Sequence, residues 1–106
     1  MAEPTFIGNW NLFKGSITDE GKPRVVNSTC QIEDGNDGRL KLKMPGWLAD
    51  LHVSNDSGYL EATGGSVNWF PKNFIFLVLS TDGSMFHGAV KQGEKDYPLP
   101  WWGVRQ

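Results

Sequence analysis

The sequence contains a single cysteine, Cys30, and only two histidines, His52 and His87. One cysteine excludes a disulfide bond within the chain, and the two histidines lack the spacing of a zinc- or iron-binding motif. Nucleophilic catalysis has no support either, because Cys30 has no basic neighbour in the sequence and no Gly-x-Ser-x-Gly motif is present. We therefore expect neither a metal ion nor another cofactor.

Long apolar runs and an excess of one charge are missing as well. The longest apolar run, residues 74–79, is too short for a membrane span, since a spanning helix needs about 20 residues. Ten Lys and Arg against twelve Asp and Glu leave a net charge of −2, and the two signs are interleaved. No basic face is available for nucleic acid. Because Met1 is not followed by the pattern of a secretion signal, we expect a cytoplasmic protein, with a mature secreted form left open.

Tryptophan and glycine are abundant, at five and thirteen of 106 residues, whereas helix-forming residues never cluster. The clearest regular segment is residues 39–44, in which apolar side chains alternate with basic ones. That period of two indicates a strand with one face buried and one face in water. The sequence is therefore typical of strands and tight turns that carry rigid aromatic rings.

Similar short segments continue along the whole chain, with turn signals about every ten residues. We predict strands at residues 6–15, 24–32, 39–44, 47–53, 59–63, 66–69, 74–80, 85–92 and 101–105, with a turn at Pro45-Gly46. Residues 45–53 could instead form a loop or a short helical turn. The sequence thus predicts one all-β domain over residues 1–106, an antiparallel β-barrel of about eight short strands.

The motif Gly8-Asn9-Trp10 in the first strand, together with Arg105 in the last, resembles the lipocalin-like (calycin) superfamily of ligand-binding barrels. The resemblance implies that Trp10 packs across a closed end of the barrel and that Arg105 lies over its ring. A guanidinium group over an indole gains about 1 kcal/mol of cation–π attraction and seals that end. It also implies a ligand site inside the barrel.

A narrower resemblance concerns the avidin family of barrels. Gly8-x-Trp10 followed by Gly15-Ser16 matches the opening of that family, and residues 67–69 are similar to a further segment of it. The family places a biotin-contacting asparagine where this chain has Leu12, and Asn11 comes one residue early. Because a shift of one residue turns a side chain to the other face of a strand, biotin binding is not implied.

Aromatic side chains beside loops are the leading candidates for a ligand site. A flat apolar wall with one N–H donor suits a hydrophobic or ring-shaped ligand. We expect a small-molecule ligand, largely apolar, and His87 joins the site if its strand face is the lumen. The predicted ligand contacts are Trp47, Tyr59, Trp69, Phe76 and His87.

Other functions are compatible with the same residues. The barrel could be an enzyme of the isomerase or cyclase type, a carbohydrate-binding module, or a protein-interaction domain. Asp50 with His52 on one strand, and Tyr59 with Glu61 on the next, could form an acid–base cluster. A solvated outer face is the interpretation that we favour for these four residues.

Residues 74–79 are apolar on both strand faces, whereas a barrel strand normally exposes one face to water. Uncovered aliphatic side chains would favour aggregation. We therefore predict a homodimer through Ile75, Leu77 and Leu79, with Trp101 or Trp102 beside them. The alternative is a cover from the N-terminal arm or from residues 45–53.

Overall fold

Eight β-strands make up most of the chain in a computed structural model that describes residues 4–35, 38–68, 73–92 and 98–106. In chain order they are β1 (Gly8–Ile17), β2 (Pro23–Asp34), β3 (Arg39–Met44), β4 (Trp47–Ser54), β5 (Glu61–Ser66), β6 (Asn73–Leu79), β7 (Met85–Gln92) and β8 (Pro98–Arg105). Within these described ranges there is no helix long and apolar enough to cross a membrane.

Every strand pairs antiparallel with the next one along the chain, and β8 returns to pair with β1. The closing ladder runs from Trp10 opposite Arg105 to Lys14 opposite Trp101. The sheet is therefore a closed barrel with strand order β1 to β8. The predicted all-β class, the antiparallel barrel and the number of strands are all confirmed.

Residues 47–53 form β4 together with Ser54, and not a loop or a helical turn. Pro45 and Gly46 make the two-residue turn before it, and Gly46 has a φ of +73° that favours glycine. Ala49 and Leu51 are buried while His52 is exposed, as the alternation in the sequence requires. The strand interpretation is therefore the correct one.

Gly64 and Gly65 lie within β5 and do not form the turn expected between residues 59–63 and 66–69. A Cβ atom on Gly64 would lie 1.8 Å from the carbonyl oxygen of Asp50 on β4. Only glycine lets the two backbones approach so closely, and such glycines help a sheet to bend into a barrel. Gly64 is thus a strand residue for reasons of packing.

On β1, Trp10, Leu12 and every second residue face the barrel interior, and so do the residues paired with them on the neighbouring strands. They form one continuous apolar core together with Phe6, which precedes β1. The largest fully buried side chains are Trp10, Phe6, Phe86, Leu12, Ile32, Leu42, Leu51, Leu77, Leu79 and Val90.

The prediction of a dimer interface at Ile75, Leu77 and Leu79 is wrong in its choice of face. These three side chains point into the barrel and are almost fully buried there. The opposite set is the exposed one, with Phe74 56% and Phe76 43% accessible to solvent. The curvature of the sheet supplies the cover that a flat sheet would have needed from a second subunit.

Candidate functional site

One end of the barrel, which we call the closed end, is sealed by aromatic rings. It is the end at which β1 begins and β8 finishes. The Phe86 ring packs edge-on against Trp10 with 4.8 Å between ring centroids, and Phe6 lies 6.3 Å from Phe86. The Trp10 indole N–H donates to the Phe6 carbonyl oxygen at 2.8 Å, so this buried donor is satisfied.

Arg105 completes the closed end from outside the ring plug. Its guanidinium carbon lies 4.2 Å from the centroid of the Trp10 ring. Its Nε donates to the Gly83 carbonyl oxygen at 3.0 Å and its Nη1 to that of Ile7 at 2.8 Å, while its Nη2 donates to Thr5. The position expected for Trp10 and Arg105 is confirmed, and three main-chain carbonyls hold the cation in place.

The opposite end, which we call the open end, is where β1 finishes and β8 begins. Interior-facing side chains there remain half-exposed, among them Lys14, Val26, Ser28 and Trp47. At the closed end the large interior-facing side chains Trp10, Phe86 and Leu79 are almost completely buried. Trp101, Ser66 and Asn73 are buried at the open end as well. Solvent therefore reaches the barrel interior at the open end.

Three side chains from three strands meet inside the open end: Lys14 of β1, Trp47 of β4 and Trp101 of β8. We call them the mouth cluster. The Trp47 and Trp101 rings are tilted against each other with 5.7 Å between centroids. The Lys14 ammonium nitrogen lies 6.0 Å from the centroid of Trp101, at the outer limit of a cation–π contact.

The positive charge of Lys14 acts on the Cys30 thiol in the barrel interior. Burial raises the pKa of the Cys30 thiol to about 12, and the nearby positive charge of Lys14 opposes part of that rise. Cys30 is therefore a protonated core residue at neutral pH, and it is not a nucleophile. In the part of the chain that the structure describes, Lys14 has no carboxylate within salt-bridge distance.

The rest of the open end is lined by small polar groups. The backbone N–H of Asn73 donates to the Ser66 hydroxyl at 2.9 Å, and both residues are buried. Arg24 lies farther out on the interior-facing side of β2. The interior-facing residues described at this end include no Asp, Glu or His, and across the described ranges no three His, Cys, Asp or Glu side chains are grouped to hold a metal ion.

The five ligand contacts predicted from the sequence do not come together. Trp47 lies in the mouth cluster. Tyr59 lies in the turn before β5 and is 54% exposed. Phe76 and His87 are on the outer face of the barrel, so His87 does not share a face with the lumen. Trp69 lies outside the described residues.

Lys14 and Trp101 were missed as site residues, although the sequence carried a signal for both. Trp10 and Lys14 are four residues apart on one strand, and so are Trp101 and Arg105. Alternation puts each pair on one face. The expected contact between Trp10 and Arg105 therefore already placed Lys14 and Trp101 inside the barrel, and Trp102 outside.

Trp102 indeed packs on the outer face, where its ring is stacked on Phe13 with 5.5 Å between centroids. Asp50 and His52 also face outward on β4, and Glu61 does so on β5, as expected for a solvated face. The mouth cluster and its small polar neighbours are therefore the candidate site inside the barrel. No protein-family model matches this chain, and no curated protein has a sequence that matches it significantly.

Proposed function

We propose that this barrel binds one small, largely apolar molecule that carries a negatively charged group, and that it does so in the open end. The observation that carries the proposal is the mouth cluster, two tryptophan rings and one ammonium group facing the interior of a barrel that is sealed at the other end. The interior of an eight-stranded barrel is wide enough either to be filled by side chains or to hold one small ligand.

The two tryptophans supply the apolar part of the site. The Trp47 and Trp101 rings pack against each other at an interplanar angle of 53°, and Trp47 is the one of the two that remains partly exposed. Trp101 is already buried by the chain, so a flat or ring-shaped ligand that stacks on the half-exposed Trp47 ring removes the remaining surface of that ring from water. Such a contact is worth about 0.5–1.5 kcal/mol beyond the buried area. Trp69 remains a predicted contact of the same kind.

Lys14 supplies the preference for a negative charge. Among the described residues, no carboxylate lies within salt-bridge distance of Lys14, so part of the desolvation cost of its half-buried ammonium group is uncompensated. A carboxylate or sulfonate on the ligand would provide an anionic partner, since the interior-facing residues described at the open end include no Asp or Glu. An apolar molecule with one anionic group therefore suits both parts of the mouth cluster.

The resemblance to lipocalin-like barrels supports the same proposal. In those proteins a first-strand tryptophan and an arginine close the end opposite the ligand, and Trp10 and Arg105 occupy that relationship here. A fixed closed end keeps the other end accessible without unfolding the barrel. No acid–base pair is described inside the lumen, and so no particular observation favours an enzyme.

Two dyes that differ by one charged group provide the test. The anionic dye 1-anilinonaphthalene-8-sulfonate and its neutral relative N-phenyl-1-naphthylamine share the same apolar rings. We expect both to quench tryptophan fluorescence on titration, with the sulfonate binding more tightly. Lys14→Met should weaken binding of the sulfonate about tenfold, the loss of one charge-assisted contact, and leave the neutral dye almost unchanged.

Trp47→Ala and Trp102→Ala form a matched pair of variants. Both tryptophans are half-buried, but Trp47 faces the lumen and Trp102 faces outward. Trp47→Ala should weaken both dyes several-fold, whereas Trp102→Ala should change neither affinity by more than about twofold. Equal losses in the two variants, or an unchanged sulfonate affinity in Lys14→Met, would contradict a lumen site for an anionic ligand.

A further inference from the structure

The outer face of the barrel carries a trough of about 520 Å³ that is separate from the lumen. It crosses β4, β5 and β6, and we call it the outer trough. Its floor is the backbone at Gly64 and Gly65. Asp50 and Phe74 pair with Gly65 from either side, and so they form its two walls.

The trough exists because Gly65 has no side chain. Outward-facing positions on three adjacent strands are spaced by about 4.8 Å per strand, so Asp50 and Phe74 are separated by about twice that distance. Any other residue at position 65 would fill the space between them. The Phe74 ring beside it is 56% exposed, which is unusual for so large an apolar side chain.

The wall of the outer trough opposite Phe74 is polar and carries both positively and negatively charged side chains. Lys41 donates to Asp50 Oδ1 at 3.2 Å and fixes that carboxylate. Arg39 and His52 are direct cross-strand neighbours at one end of the trough, and Thr63 lies beside His52. Among the described residues, the Arg39 guanidinium forms no salt bridge.

We propose that the outer trough binds a saccharide unit that carries a carboxylate group. A sugar ring has an apolar face that can stack on Phe74 and hydroxyl groups that can donate to the free oxygen of Asp50. Arg39 can hold the carboxylate with two parallel hydrogen bonds. Arg39 lines the trough, while Lys41 beside Asp50 and Lys91 beside Phe74 flank it. Three cations against one carboxylate favour an anionic sugar over a neutral one.

Other ligand classes fit this arrangement less well. A purely apolar molecule would leave Arg39 and Asp50 desolvated without partners. A phosphate group carries more negative charge than a carboxylate, and the carboxylate of Asp50 would repel it. A second copy of the chain is the remaining occupant, because Phe76 adjoins Phe74 on the same exposed face of β6.

Trigalacturonate and its neutral counterpart, a galactose trisaccharide, are suitable probes for calorimetry and for amide chemical-shift mapping. Trigalacturonate should bind and shift the amides of residues 50–52 and 63–67. Phe74→Ala and Arg39→Gln should each weaken binding about tenfold. Phe76→Ala is the matched control, because Phe76 is also an exposed phenylalanine on the same face of β6 but does not line the trough, and it should have no effect.

Lys14→Met separates this test from the test of the lumen site. Because Lys14 lies inside the barrel and not in the outer trough, this variant should leave trigalacturonate binding unchanged. Thermal unfolding of each variant shows that it is folded. The proposal is wrong if trigalacturonate does not bind, if the neutral trisaccharide binds equally well, or if Phe74→Ala and Phe76→Ala lose the same affinity. It is also wrong if light scattering shows a dimer that both phenylalanine variants dissociate, since the face would then be a self-contact.

Discussion

The two ends of the barrel contain the same kinds of side chain but differ in how the cation is bound. At the closed end, Arg105 lies 4.2 Å from the Trp10 ring and donates to three main-chain carbonyls. At the open end, Lys14 lies 6.0 Å from Trp101, and no carboxylate described in the structure pairs with it. A cation whose donors are satisfied by the chain is part of the fold, whereas one that lacks partners is available to a ligand.

The largest expected difference between the two ends concerns their tryptophans. Trp10→Ala should lower the free energy of unfolding by about 3–5 kcal/mol, since Trp10 is fully buried and its loss leaves a large cavity. Trp47→Ala should cost only about 1–2 kcal/mol, because the half-buried Trp47 ring already contacts solvent. Urea denaturation of the two variants measures both values. Equal losses of unfolding free energy would show that the tryptophans at the two ends stabilise the barrel equally.

The cations should differ in the same direction. Arg105→Gln removes a charged donor to several carbonyls and should cost about 2 kcal/mol of unfolding free energy. Lys14→Gln removes a charge without a fixed partner and should leave stability unchanged or slightly increased. Denaturation midpoints at constant pH give the comparison. A larger loss for Lys14→Gln than for Arg105→Gln would mean that Lys14 is a structural cation.

The smallest effect is a pH dependence confined to the closed end. Hydrogen bonds from Ser84 and Ser80 lower the pKa of Asp82 from its ordinary 3.8 to about 2. Asp82 shapes the turn whose Gly83 carbonyl accepts from Arg105. Because the folded-state pKa is the lower one, the stabilisation is fully present above about pH 4 and is lost as the pH falls through 2.

Asp82→Asn should therefore be less stable than the parent protein at pH 5, and the difference should shrink as the pH approaches 2. Ser84→Ala, which removes one donor to the carboxylate, should show the same trend with smaller amplitude. Thermal melts at a series of pH values test both variants. A difference between Asp82→Asn and the parent that does not vary with pH would refute this role of the turn.

Sequence periodicity predicted the strands well where one face was polar. Residues 39–44 alternate between aliphatic and basic side chains, and they form β3 with those bounds. It failed at Gly64 and Gly65, because a pair of glycines in a sequence indicates a turn equally well. Their place in β5 depends on the approach of the Asp50 carbonyl from β4, which is a contact between strands.

The sequence predicted the candidate site only in part, because the inward-facing side of some strands could not be assigned from their own residues. Trp47, a predicted ligand contact, faces the barrel interior beside the turn at residues 45–46. His87 and Phe76 could not be assigned to a face from their own strands, since β6 and β7 have apolar residues on both faces. Lys14 was overlooked because a charged side chain in an alternating strand normally faces water.

The sequence by itself determined that this chain forms short antiparallel strands, and the Trp10–Arg105 relationship determined how one end is closed. Only the tertiary structure decided which side of residues 74–79 lies inside. Leu77 pairs with Ala62 and Gly88 in the barrel interior, where small neighbours leave room for an aliphatic side chain. Phe76 pairs with Thr63 and Ala89 on the outer face. The register of β6 with β5 and β7 therefore distinguished two faces that the sequence made equally apolar, because the pairing fixes which side of each strand faces the interior.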